Sequence, residues 1–256
     1  MNTQAQRLAY DLKLFGVHAA IEARAQEAIA RQLHPSEFLA LVLEDERLAR
    51  KDRLAKSLAT RAKFRRDAVV EDWDSTFDRG LPKAAVKELA ALGFFRNNQN
   101  LIILGRTGEG KTHLAISLGR RLCDNGQSVA FLSMGLLFEE VLAARAAGKV
   151  IGYLTKLNQT KALIFDDFGL RCYTHEEAGV LVELLEARSR KGPVIVTSQV
   201  DPQGWPKLFE DPVIAEAVVD RLLNPSQRVQ LKGGTYRDRF NALPVGKNLA
   251  SQSVLN

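Results

Sequence analysis

The sequence predicts an α/β fold: a parallel β-sheet with flanking helices, preceded by a small all-helical N-terminal domain. Three observations carry this expectation. From residue 100 onward, short apolar runs of strand length alternate with helical stretches, the pattern of buried parallel strands. A glycine-rich segment, GRTGEGKT, joins the first of these runs to the first of these helices. Ahead of them, residues 1–66 carry their apolar residues at near-helical spacing.

The elements follow in order. Leu8, Leu12, Leu14, Phe15 and Val17 open an apolar helical pattern that continues through the alanine-rich residues 19–30. The LHPSE segment at 33–37 ends that helix and starts another, with Pro35 suited to a first turn. The second helix carries Phe38, Leu39, Leu41, Val42, Leu48, Leu54 and Leu58 near a 3.6-residue period. Residues 67–81, with Trp73, Phe77 and Gly80, read as an irregular lead-in, and 82–92 as a helix. Strands are expected at 100–104, 128–132, 162–166 and 193–197, and helices from 113, over 136–147 and over 176–189. The domain boundary is expected near residue 66, with 1–66 helical and 67–256 the α/β domain.

Composition narrows the class. At 256 residues with 46% hydrophobic content the chain can bury a sizeable core. It has no apolar run of 18 residues and no signal-peptide pattern at its start, so neither a membrane span nor secretion is expected. Cys123 and Cys172 have neither metal-ligand spacing nor a disulfide framework, which fits a reducing cytoplasm. The formal charge is +6 and the pI about 9.4, a balance that suits contact with nucleic acid. The excess is concentrated: residues 44–66 hold nine basic and four acidic residues. That run can be a solvated helix face laced with i,i+4 pairs such as Glu46 with Arg50. It can also be a DNA-contacting face, for which Arg47, Arg50, Lys51 and Arg53 are the candidates, with Lys149 and Lys156 as further basic positions outside the run.

The chemistry centres on the glycine segment. It fits the pattern G-x-x-x-x-G-K-[ST], between an apolar strand and a helix start, where backbone N–H groups and the positive helix end attract phosphate. Gly105, Gly108 and Gly110 let the backbone close around phosphate oxygens. Lys111 supplies a charge for the β/γ-phosphates, and the Thr112 hydroxyl can ligate Mg²⁺. Candidate nucleotide contacts are therefore Gly105, Arg106, Thr107, Gly108, Glu109, Gly110, Lys111, Thr112 and His113. The apolar run ALIF ends in Asp166 and Asp167. A P-loop enzyme needs one carboxylate beside the metal and can use a second to orient water, roles that fit Asp166 and Asp167 in turn. The run VIVTSQ ends in Gln199, which can touch the γ-phosphate or be an ordinary strand exit. An arginine can stabilise charge on the transferred phosphoryl group, and spacing alone does not choose among Arg188, Arg190, Arg221, Arg228 and Arg237.

Together these blocks resemble the IstB-like ATPases, AAA+ helpers of insertion-sequence transposition close to the DnaC-type helicase loaders. The resemblance spans nearly the whole chain: LKLFG, the Trp73/Phe77 lead-in, GRTGEGKTHLAISLG, LIFDDFG, VTSQ, the GW…F.D segment at 204–211, VVDRLL and LKGGTYR. It implies ATP and Mg²⁺ as cofactors, duplex DNA and a transposase as partners, and a homo-oligomer with ATP at subunit interfaces. It also implies roles: Walker A for 105–112, Walker B for Asp166 and Asp167, sensor 1 for Gln199, a finger in trans for Arg221, and sensor 2 for Arg237. Two positions depart from the family pattern. Asp167 stands where Glu is usual and Gln199 where Asn is usual, and both touch water positioning, where about 1 Å can cost roughly 100-fold in rate. A helicase loader and a non-hydrolysing ATP-gated assembly protein are the alternative readings. A small-molecule kinase fits the DRLL and TYR blocks poorly.

Overall fold

The computed structural model describes residues 4–74, 76–189 and 191–235. The chain opens with three helices, α1 (Gln4–Asp11), α2 (Phe15–Arg31) and α3 (Pro35–Ala62). Pro35 sits in the first turn of α3 behind a His34/Glu37 capping box, as the break in the sequence pattern requires. The crossing of α2 and α3 depends on Gly16. A Cβ there would lie 2.6 Å from Asp45 O and from the Glu46 Cα. Across the same crossing, buried Glu46 accepts the Gly16 N–H at 2.6 Å and the Val17 N–H at 3.3 Å. The α2 N-terminus, which has no side-chain cap from its own N-cap residue, is thus satisfied by a carboxylate from α3.

The lead-in contains one short 3₁₀ turn, Val70–Asp72. It is followed by α4 (Lys83–Ala90) and α5 (Gly93–Arg96). Then come β1 (Asn100–Leu104), α6 (Lys111–Asp124), β2 (Val129–Ser133), α7 (Met134–Ala146) and α8 (Val150–Asn158). The chain continues through β3 (Ala162–Phe168), α9 (His175–Arg188), β4 (Val194–Ser198), α10 (Pro212–Leu223) and β5 (Ser226–Gln230). The five strands form one parallel sheet in the order β2-β3-β4-β1-β5. All four expected strands are present. The fifth, SQRVQ, gave no apolar signal because it is an edge strand whose residues are mostly solvated.

Side chains alternate across the sheet into two cores. Ile102, Leu163, Phe165, Val194 and Val196 face one layer, with α7, α8, α9 and α10. Leu101, Ile103, Ile164 and Ile195 face the other, with α4 and α6. Leu58 and Ala62 from the end of α3 belong to this second core, while Val42 near its start packs with Ala9 and Val17 in a separate small cluster. One continuous helix therefore runs from the helical module into the α/β domain, with no linker between them.

Candidate nucleotide-binding site

β1 delivers the chain to the phosphate loop at the C-terminal edge of the sheet, where α/β folds place ligands. Gly105, Gly108 and Gly110 have φ of 154°, 87° and 97°, so Gly108 and Gly110 hold the left-handed conformation that a side chain resists. Gly110 is the N-cap of α6 and brings no side-chain cap, which leaves the first N–H groups of the helix to an external anion. Lys111 is buried, and its Nζ donates to the Arg106 carbonyl at 2.9 Å, holding the charge under the loop. Buried Glu109 braces the loop from behind: it accepts the Arg106 N–H at 2.6 Å and the Gly233 N–H at 3.2 Å. Glu109 is thus a tie between the loop and the chain after β5 more than a phosphate contact. Thr107 Oγ1 donates to Gln199 Oε1 at 2.8 Å, joining the loop to the end of β4.

The carboxylates stand opposite. Asp166 is fully buried at the end of β3, and its Oδ1 accepts from Thr112 Oγ1 at 2.8 Å and Thr197 Oγ1 at 2.7 Å. Its Oδ2 is buried with no hydrogen-bond partner. Burial pushes the Asp166 carboxyl above its ordinary range, against the pull of the two hydroxyls. A buried carboxylate oxygen with no hydrogen bond, beside a loop threonine, fits a hard cation held jointly with phosphate oxygens. Thr112 and Asp166 are the residues that would hold Mg²⁺. Among the described residues no cluster of three His, Cys, Asp or Glu offers an alternative metal site.

Asp167 diverges from Asp166 because the β3–β4 register shifts between Phe165 and Phe168. This bulge puts Asp167 at φ 61° and turns its side chain out toward the cavity. The Thr197 hydroxyl accepts the Asp167 N–H at 3.0 Å, so one side chain fixes both aspartates. The cavity, about 550 Å³, is lined by Lys111, Thr112, His113, Asp167 and Gln199, by Arg66 just ahead of the lead-in, and by Asp72 and Arg79 within it. Arg79 lies 3.5 Å over the Trp73 ring. Burial, with Arg66 and Arg79 nearby, lowers the His113 pKa, so its ring favours the neutral form. None of Arg65, Arg66, Asp72 and Arg79 carried a motif; Arg65 and Arg66 showed only as the end of the basic run, and Asp72 and Arg79 only as charged residues of the lead-in.

The remaining candidates lie elsewhere. Arg221 donates to the Ala217 carbonyl at 2.9 Å and pairs with Glu186 at 3.5 Å. Its carbonyl accepts from Asn100 Nδ2, which places it at the N-terminal edge of the sheet, away from its own phosphate loop. Arg237 and Arg190 fall outside the described residues. Of the candidate DNA contacts, Arg47 is paired with Glu44, and Arg50 and Arg53 with Glu46. Lys51, Lys149 and Lys156 are exposed. Lys156 joins Arg61, Lys63 and Arg65 around a groove of about 630 Å³ beside β2, a grouping that sequence distance concealed.

The sheet order, the uncapped glycine loop and the threonine–carboxylate pair define a P-loop domain of the AAA+ type. The IstB-like ATP-binding protein family model matches residues 7–243, and the chain belongs to that family. Similar proteins include an ATP-binding protein named for insertion sequence IS21 of Pseudomonas aeruginosa, 34% identical over 226 residues (88% of this chain, 85% of the relative). An insertion-sequence ATP-binding protein of Mycobacterium tuberculosis is 34% identical over 229 residues, covering 89% of this chain and 91% of the relative. Among solved structures, the DnaC helicase loader aligns with a TM-score of 0.54 and 18% identity over 64% of this chain and 97% of that one. DnaA from Aquifex aeolicus, bound to AMPPCP, aligns with a TM-score of 0.57 and 18% identity over 70% and 54%. These two likenesses speak for the fold alone. Among the described residues no helix is long and apolar enough to cross a membrane.

Proposed function

We propose that this protein is an ATP-dependent, DNA-binding regulator of transposition that assembles as a homo-oligomer on duplex DNA and directs a partner transposase. The observation that carries the ATP half of this reading is buried Asp166, hydrogen-bonded to Thr112 and holding one oxygen that no hydrogen bond satisfies. The transposition half is supported by the insertion-sequence relatives, which align over most of the chain.

In this reading the loop N–H groups and Lys111 bind the phosphates. Thr112 and Asp166 would hold Mg²⁺, which would neutralise phosphate charge during transfer. Asp167, turned into the cavity by the bulge, accepts a hydrogen bond from the attacking water and orients it. Gln199, held by Thr107 at the cavity wall, would touch the γ-phosphate. Arg221 lies too far from its own loop to act in cis, so its contribution would come from a neighbouring subunit, with Arg237 completing the site from its own chain. The exposed lysines of α3 and α8 supply phosphate contacts to DNA, and the cytoplasm is the compartment this activity requires.

A DNA-dependent ATPase assay tests the proposal. Duplex DNA should stimulate turnover, and Lys111→Ala should abolish it together with nucleotide binding. Absence of both effects refutes the reading. A second reading, ATP-gated assembly without appreciable turnover, is favoured by one feature: Asp167 reaches the cavity from a left-handed backbone position with one methylene less than Glu. ATP-dependent oligomerisation with turnover no faster than that of Asp167→Asn would support it. A helicase-loader role shares the same ATPase core, and a pull-down against a replicative helicase and a transposase separates the two.

A further inference from the structure

Arg65 comes from outside every motif of the site, three residues beyond the end of α3. Its guanidinium nitrogen lies 3.8 Å from Asp166 Oδ2 and 3.8 Å from Asp167 Oδ2. The first of these is the buried oxygen that no hydrogen bond satisfies. The placement is built. Lys63 ends α3 in the left-handed conformation, turning the chain toward the sheet. Phe64 then packs edge-on to Phe131 at 6.3 Å and against Gly119, where a Cβ would come within 3.0 Å of its ring. Arg65 follows, its own guanidinium 5.9 Å from the Phe131 ring centre. Other charged groups near this corner include Arg171, which lines a cavity together with Arg65 and Asp167, and Lys111 and Arg66, which line the nucleotide cavity with Asp167.

We propose that Arg65 is a positioning residue of the ATPase site: its charge bridges Asp166 and Asp167 before the metal binds, and the metal competes with it at Asp166. The proposal rests on the MgATP reading above. A divalent cation at Asp166 Oδ2 repels a guanidinium 3.8 Å from the same oxygen, so filling the metal site weakens the Arg65–Asp166 contact and shifts Arg65 toward Asp167. Because Arg65 is the continuation of α3, this ties the occupancy of the metal site to the helix that carries the basic run. The side chain is about half exposed, so solvent screens the competition to a modest size.

The test is an Mn²⁺ titration of binding of a fluorescent, non-hydrolysable ATP analogue to the full chain, with steady-state turnover in saturating Mg²⁺. Arg65→Ala should need several-fold less Mn²⁺ for half-maximal binding, because no guanidinium competes at Asp166. It should also lower kcat several-fold at nearly unchanged KM, because Asp167 loses its anchor. Arg65→Lys, which keeps the charge, should stay within about twofold of wild type in its Mn²⁺ requirement. An Arg65→Ala protein whose Mn²⁺ requirement is unchanged or raised overturns the assignment while leaving the nucleotide reading intact. A wild-type protein that binds the analogue at no Mn²⁺ concentration overturns both.

Discussion

Thr112 Oγ1 donates to Asp166 Oδ1 over 2.8 Å, joining the first turn of α6 to the end of β3 across 54 residues of sequence. The same oxygen accepts from Thr197 on β4 at 2.7 Å. Two hydroxyls from two elements therefore aim one carboxylate, and its second oxygen is left for a cation.

Thr197 is the hinge of that arrangement, since it also accepts the Asp167 N–H at 3.0 Å. Thr197→Val keeps the volume and removes both bonds in a fully buried position. We expect a loss of about 1–3 kcal/mol in stability, the range for leaving buried polar groups unmatched, read by denaturant unfolding without nucleotide. Thr197→Ser should recover most of it. A valine variant as stable as wild type would show that the hydroxyl does not organise the pair.

Gly108 faces two demands at once. Its φ is 87°, and a Cβ there would meet Thr235 Oγ1 at 2.0 Å and the Thr235 Cβ at 2.7 Å. Gly108→Ala should weaken nucleotide binding by at least tenfold in an equilibrium titration. Adding Thr235→Gly should restore part of the loss by removing the clash, and the backbone strain should keep the rest. Full recovery in the double variant would assign the whole effect to sterics.

Glu46 sets an acid limit on the helical module. Burial raises its pKa, but the Arg50 bond and the Gly16 and Val17 N–H groups outweigh it and hold the carboxyl below its ordinary value. A depressed folded-state pKa stabilises above the unfolded value, and that stability is lost as pH falls through the folded value. Glu46→Gln should therefore melt below wild type at neutral pH, with the gap closing on acidification below about pH 4.5. Parallel melting curves at every pH would contradict this.

The basic run on α3 divides by partner. Arg50 is paired with Glu46, whereas Lys51 is exposed beside it. Lys51→Ala should leave the melting temperature unchanged and reduce the salt dependence of DNA affinity by a slope of about 1, as one lost phosphate contact does. Arg50→Ala should chiefly lower stability. Salt-insensitive DNA binding by the wild type would remove the basic helix from the interface.

The phosphate loop, the strand ending in Asp166 and Asp167, and the parallel sheet were all legible because each rests on local signals. A glycine pattern, an apolar run of strand length and a helical period arise from neighbouring residues obeying backbone sterics and burial. β5 was not legible, because an edge strand built of SQRVQ has no apolar run to announce it. The boundary near residue 66 came from a change of composition. In the structure the end of α3, at Leu58 and Ala62, packs into the core beneath the sheet, a contact that composition does not reveal.

By itself, then, the sequence determined that a phosphate cradle, two carboxylates and a basic helical segment exist in this chain, and in what order. Only the tertiary structure decided their relations. The register shift in β3 sends Asp166 inward and Asp167 outward, and Thr197 locks both. It also carries Arg65 around the end of α3 onto the carboxylates, and spends Arg47, Arg50 and Arg53 on partners within the module. The physical reason is one of range. Propensity and period act over a few residues, whereas hydrogen bonds and ion pairs join groups that only packing brings within reach.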